Sequence, residues 1–122
     1  MLDHDIKNLV EDMLAPLGPV VVKRMFGSGG IFLDGLMFGL IADGNLYLKA
    51  DESNRASFEA EGMMPFAYMK RTGQTTIMSY WRVPERLLDE PDDLVDWARR
   101  ALSAAQRAQQ SRRPKMSRPR TA

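Results

Sequence analysis

Three glycine-bearing turns, Gly27-Ser28-Gly29-Gly30, Asp34-Gly35 and Ala42-Asp43-Gly44-Asn45, punctuate the first half of this chain and restrict what it can fold into. The stretches between them are rich in β-branched and aromatic residues: Val20-Val21-Val22-Lys23-Arg24-Met25-Phe26, Ile31-Phe32-Leu33, residues 36–41 and Leu46-Tyr47-Leu48-Lys49. Short β-prone runs joined by turns about ten residues apart describe a four-stranded antiparallel meander. Asp-Gly between apolar runs is a strong two-residue hairpin signal. Downstream, Pro65-Phe66-Ala67-Tyr68-Met69, a polar turn at Lys70-Arg71-Thr72-Gly73-Gln74 and residues 75–83 predict a further hairpin, which Pro84 closes because it has no N–H for a ladder.

Helical spacing frames these strands. Ile6, Leu9, Val10, Met13 and Leu14 follow a candidate N-cap at Asp3, and Ala15-Pro16-Leu17-Gly18-Pro19 stops that helix. Asp51 or Ser53 can cap a short middle helix reaching Glu61, with Gly62 beyond it; Phe58 is its one large apolar residue, so a surface position is expected. Asp89-Glu90-Pro91-Asp92 opens a last helix, with acids at its positive end and apolar positions at Leu94, Val95, Ala98, Ala101, Leu102 and Ala105, extending to about Gln110. The fold class expected is α+β: an antiparallel sheet of about six strands flanked by N-terminal, middle and C-terminal helices. A chain of 122 residues fits one core. The domain is expected over residues 1–106 and a basic tail over 107–122.

Charge divides along the same line. Through Leu102 there are 11 Lys/Arg against 16 Asp/Glu, a balance of −5; after it come Arg107, Arg112, Arg113, Lys115, Arg118 and Arg120 with no acid. Six cations can neutralise several phosphates, which gives salt-sensitive and sequence-blind attraction, so this tail is the candidate nucleic-acid element. The start, Met1-Leu2-Asp3-His4-Asp5, has acids and no apolar run, unlike a signal peptide. No membrane-spanning run occurs and cysteine is absent, consistent with a cytoplasmic protein that makes no membrane contact.

The residues offer little catalytic chemistry. His4 is the one histidine and has no partner in sequence, and without cysteine no thiolate or paired-histidine metal site can form. The Gly27–Gly30 loop precedes a strand rather than a helix, so the glycines read as a hairpin or bulge and not as a phosphate cradle. Asp34, Asp43 and Asp89 occupy turn or cap positions. No catalytic, cofactor-binding or metal-binding residue is expected, and no cofactor. Nine methionines read mainly as gap-filling core. Met63 and Met64, followed by Pro65-Phe66-Ala67-Tyr68, form an adaptable apolar lip suited to protein contact. In Tyr80-Trp81-Arg82, alternation sends Tyr80 and Arg82 to one face and Trp81 to the other. Met63, Met64, Phe66, Tyr68, Tyr80 and Arg82 are therefore the candidate interaction surface.

One ordered set of segments carries a family likeness. Arg24-Met25-Phe26-Gly27 with Gly29-Gly30-Ile31, Asp34-Gly35, Met37-Phe38, Leu46-Tyr47-Leu48-Lys49-Ala50-Asp51, Pro65-Phe66-Ala67-Tyr68, Ser79-Tyr80-Trp81-Arg82-Val83-Pro84-Glu85 and the helix bearing Leu94, Trp97, Ala98 and Ala101 resemble the N-terminal domain of the TfoX/Sxy competence-regulator family. The resemblance spans roughly residues 5–105. It implies a compact α+β fold with helices beside a curved antiparallel sheet, in a bacterial cytoplasmic protein tied to regulation of transformation genes, and it supplies no catalytic residues. Full-length regulators of the family carry a second, helical domain where this chain has its basic tail. The expected role is a non-enzymatic regulatory module that contacts a protein partner, such as a transcription factor. Weakly specific nucleic-acid binding aided by the tail, a small-molecule-binding domain, and homodimer formation are the alternatives left open.

Overall fold

The structure is a computed structural model and describes residues 4–25 and 28–111. Its order is α1 (His4–Met13), a 3-10 turn (Ala15–Leu17), β1 (Val20–Met25), β2 (Ser28–Leu33), β3 (Leu36–Ala42), β4 (Asn45–Lys49), α2 (Arg55–Ala60), β5 (Pro65–Lys70), β6 (Gly73–Arg82), a second 3-10 turn (Glu85–Asp89) and α3 (Pro91–Ser111). One antiparallel six-stranded sheet results, in the order β1-β2-β3-β4-β6-β5. The expected meander is its first four strands. The later hairpin joins through β6, which leaves β5 as an edge.

The two Asp-Gly turns behave as the pairing of residue types requires. Asp34 and Gly35 have φ of 51° and 81°, and Asp43 and Gly44 have 52° and 77°. Positive φ at both central residues is the type I′ geometry, whose twist matches the flanking strands. The first glycine segment differs from expectation. Gly29 and Gly30 lie within β2, paired with Arg24 and Lys23, and both are buried. Strand β1 is described to Met25 and β2 from Ser28; Phe26 and Gly27 lie outside the described residues. Glycine can stand inside a strand as well as in a turn, and here Gly29 and Gly30 do the former.

Registry defines the two faces. Val22, Ile31, Gly39, Leu48, Trp81 and Pro65 stand side by side, one from each strand in sheet order. This row faces the core: Ile31 and Leu48 are fully buried, and Val22 and Trp81 nearly so. Gly39 is glycine for a steric reason. A Cβ there would sit 2.9 Å from the Tyr47 carbonyl oxygen, 3.0 Å from Ile31 and 3.2 Å from Leu48. Between Ile31 and Phe32 the register shifts, leaving Phe38 as an extra residue on β3, and its side chain is wholly buried. Such a bulge strengthens the local twist.

The helices cover this core face. α1 contributes Val10, the turn that follows it contributes Leu14, and α3 lays down Leu94, Val95, Trp97, Ala98, Ala101, Ala104 and Ala105. Leu9, which shares the helical spacing of the apolar residues of α1, stays 43% exposed. The middle helix has only six residues and too few hydrogen bonds to stand alone. It lies at the surface, as expected, and is held by Phe58, its one buried residue, with the ring 5.0 Å from Trp97 and 6.2 Å from Trp81. The 3-10 turn before α3 had no sequence expectation, and it seats Leu87 in the core. On the edge strand β1, the Val22 N–H donates to Glu11 Oε2 at 2.9 Å, and Lys7 donates to the same oxygen at 3.1 Å. The Val22 amide, seconded by Lys7, holds the Glu11 carboxyl below its usual range. An edge amide is thus occupied by the protein's own helix.

Two substitutions test this packing by urea denaturation. Gly39→Ala is expected to destabilise by about 1–3 kcal/mol, because the nearest obstacle is backbone. Phe58→Ala is expected to cost about 3–5 kcal/mol, since it empties the contact that holds α2.

Candidate functional site

The β5–β6 hairpin is the part of the sheet that the core does not enclose. Strand β6 pairs with β4 only over Tyr80–Arg82, so from Ile77 back to Gly73 its sole partner is β5. The register jumps between Pro65 and Phe66, from Trp81 to Ile77, and this irregularity separates the seated base from a projecting ribbon. Trp81 anchors that base, its Nε1–H donating to the Met78 carbonyl at 2.9 Å.

Alternation gives the ribbon two different sides. One carries Phe66 and Tyr68 with their partners Ile77 and Thr75. Phe66 meets Tyr47 edge-on at 4.9 Å and stacks against Tyr68 at 5.7 Å, so this side continues the face of the main sheet opposite the core row. The opposite side carries Ala67, Met69 and Thr76, while Met78 sits at the register break itself. Met69 is 75% exposed and Met78 56%, and neither belongs to the core cluster. Two flexible thioethers in water on a narrow ribbon form an apolar surface able to mould itself to a partner.

The sequence-predicted surface residues are distributed as follows. Met63 is half-buried and packs against the core, whereas its neighbour Met64 is 68% exposed. Phe66 and Tyr68 stand together on the aromatic side. Arg82 is exposed beside Tyr47, and Tyr80 lies one step along with the Lys49 ammonium 5.0 Å over its ring. Trp81 takes the opposite, buried face, as alternation requires. Sequence reasoning missed Met69 and Met78, which the default assignment of methionine to cores conceals. The signal that could have found them is length: strands beyond the reach of any predicted helix have nothing to bury them.

Of the expected basic tail, Arg107 lies inside α3 and is already engaged. Its Nε donates to Asp51 Oδ2 at 2.8 Å, and its Nη2 donates to Asp51 Oδ1 at 3.1 Å and to the Ser53 hydroxyl. Arg112, Arg113, Lys115, Arg118 and Arg120 lie outside the described residues. The bond from Arg107, with help from Ser53, holds Asp51 well below the ordinary carboxylate range. Next to it, buried Asn54 accepts the Asp51 N–H at 2.8 Å and donates to the Lys49 carbonyl at 3.1 Å. These contacts tie the end of β4, the start of α2 and the last turns of α3 into one junction. A second cluster joins Arg86 to Glu61, Glu90 and Asp93, with Glu61 half-buried and the others exposed.

A groove of about 480 Å³, open to solvent, lies between the end of α3 (Ala105, Ala108, Gln109) and Phe32, Met37, Lys49 and Tyr80. Among the described residues no carboxylate lines it. Among the described residues no three His, Cys, Asp or Glu side chains gather as metal ligands, and no helix is long and apolar enough to cross a membrane.

An antiparallel sheet with helices on one face and an open ribbon at its end defines a small α+β domain that presents surfaces. The chain belongs to the TfoX N-terminal domain family, whose model matches residues 12–105. It is 29% identical over 102 residues to Protein Sxy of Escherichia coli (strain K12) and, at the same identity and length, to DNA transformation protein TfoX1 of Aliivibrio fischeri. Each match covers 84% of this chain and 48% of the relative, so the chain spans about half the length of these curated relatives.

The Arg107–Asp51 pair predicts a pH signature. Asp51 is more acidic folded than unfolded, so its stabilisation is complete above about pH 4 and fades as the pH falls below that. Arg107→Gln should lower stability near neutrality by up to about 1 kcal/mol, a modest figure because Arg107 is half exposed. The gap from the parent should narrow between about pH 4 and pH 2 in thermal melts.

Proposed function

We propose that this chain is a non-enzymatic regulatory module of bacterial DNA transformation, acting in the cytoplasm by binding a protein partner such as a transcription factor. The observation that carries this reading is a pair of exposed methionines on the β5–β6 ribbon: Met69 and Met78 stand in water on a projection that the core does not need. Exposed apolar side chains on a ribbon are a standing cost unless a partner covers them. Membership of the TfoX N-terminal domain family, and likeness to a DNA transformation protein of Aliivibrio fischeri, support the regulatory setting. Met64, exposed at the ribbon's base, extends the contact toward the body.

The test uses the source bacterium with its own gene replaced by the doubly substituted Met69→Asp, Met78→Asp form. Both positions are exposed, so stability should change by about 0.5 kcal/mol or less, which a melting curve checks. Transcripts of DNA-uptake genes are expected to lose their induction in the variant. Full induction by a stable, normally abundant variant would sink the protein-contact reading.

A further inference from the structure

The six strands contain five Lys or Arg residues (Lys23, Arg24, Lys49, Lys70 and Arg82) and no Asp or Glu, in a chain that has 16 acids. Every acid falls on a helix, a turn or a terminus. By alternation, Lys23, Lys49, Lys70 and Arg82, though not Arg24, stand on the sheet surface opposite the core row, which α3 meets at its last turns beside Lys49 and Tyr80. There, Lys23, Gly30, Leu40, Tyr47 and Arg82 form one cross-strand row, and Phe66 and Tyr68 carry it onto the ribbon. Lys70 ends the same side, and Arg71 sits at the ribbon's turn, fully accessible.

We propose that this face binds single-stranded nucleic acid, with bases stacking at Tyr47, Phe66 and Tyr68 and phosphates met by Arg82, Lys70 and Arg71. The argument is complementarity of two kinds. Rings with centroids 4.9 and 5.7 Å apart make a continuous aromatic strip, and Tyr68 at its outer end is 40% exposed. Cations flank the strip at both ends, and no acid within the strands opposes a phosphate chain. A positively charged track beside aromatic side chains is how sheets hold unpaired strands, whose bases are free to stack. A duplex hides its bases and can use only the charges. An acidic peptide would also be attracted by the cations but would gain nothing from the strip, so the aromatic contribution decides between them. This inference uses the aromatic side of the ribbon, which alternation sets opposite Met69, and does not depend on the methionine contact.

The experiment is fluorescence anisotropy of the full chain with a labelled oligothymidylate of about 15 nucleotides, and with a duplex of equal length. The single strand is expected to bind at least tenfold more tightly than the duplex. Tyr68→Ala should weaken single-strand binding roughly tenfold and leave duplex binding unchanged, while Tyr68→Phe should retain it. Arg82→Gln should reduce the salt slope for the single strand by about 0.7, the loss of one phosphate contact. Unaltered thermal melting of the variants keeps the reading clean. Equal affinity for both probes would assign the attraction to the basic C-terminal segment and overturn the proposal, and so would a Tyr68→Ala variant that binds the single strand as the parent does.

Discussion

The ring of Phe58, lodged against both Trp97 and Trp81, is the contact on which the rest of the arrangement depends. It is the one place where the middle helix, the long C-terminal helix and the sixth strand meet. A six-residue helix cannot hold itself, and β6 is joined to the main sheet across only three residue pairs. Each marginal element is stabilised by sharing the same buried aromatic group. The hydrogen bonds of Asn54 and the Arg107–Asp51 pair then fix the direction in which the connection leaves β4. With that junction set, the ribbon has a firm base and needs no packing of its own.

Much of this architecture was legible in the sequence, for reasons that can be assigned to residues. Asp34-Gly35 and Asp43-Gly44 announce their turns because few other pairs accept positive φ twice in succession. The apolar spacing of α3 announces its buried stripe. Gly29 and Gly30 misled, because a run of glycines suits a turn and is equally tolerated inside a strand. The surface position of the middle helix was legible from its single large apolar residue, but the two tryptophans distant in sequence that converge on Phe58 were not. The Glu85–Asp89 turn has no periodicity to read, being too short for either period.

The surface was less legible than the core. Tyr80 and Arg82 could be placed on one side by alternation alone, and Trp81 on the other. Nothing in the local sequence distinguishes Met63, which packs inward, from Met64, which does not; that difference is made by the backbone path into β5. Arg107 reads as the first residue of a free basic segment, yet it faces an aspartate 56 positions earlier. Long-range ion pairs of that kind leave no periodic trace. The exclusion of acids from the strands was present in the sequence throughout. It acquires meaning only when the strands share one sheet and the helices share one face.

The hydrogen bond from the Trp81 indole to the Met78 carbonyl gives the molecule an optical property of its own. Both tryptophans of the chain, Trp81 and Trp97, are buried, so neither emits as a solvated indole. Trp81 alone is wired to the irregular stretch where the ribbon leaves the sheet. A twist or stiffening of the ribbon alters the field along that indole N–H without disturbing the core, and the wavelength of its emission shifts with it. The protein thus carries an intrinsic gauge of its most exposed element, readable without attaching any label.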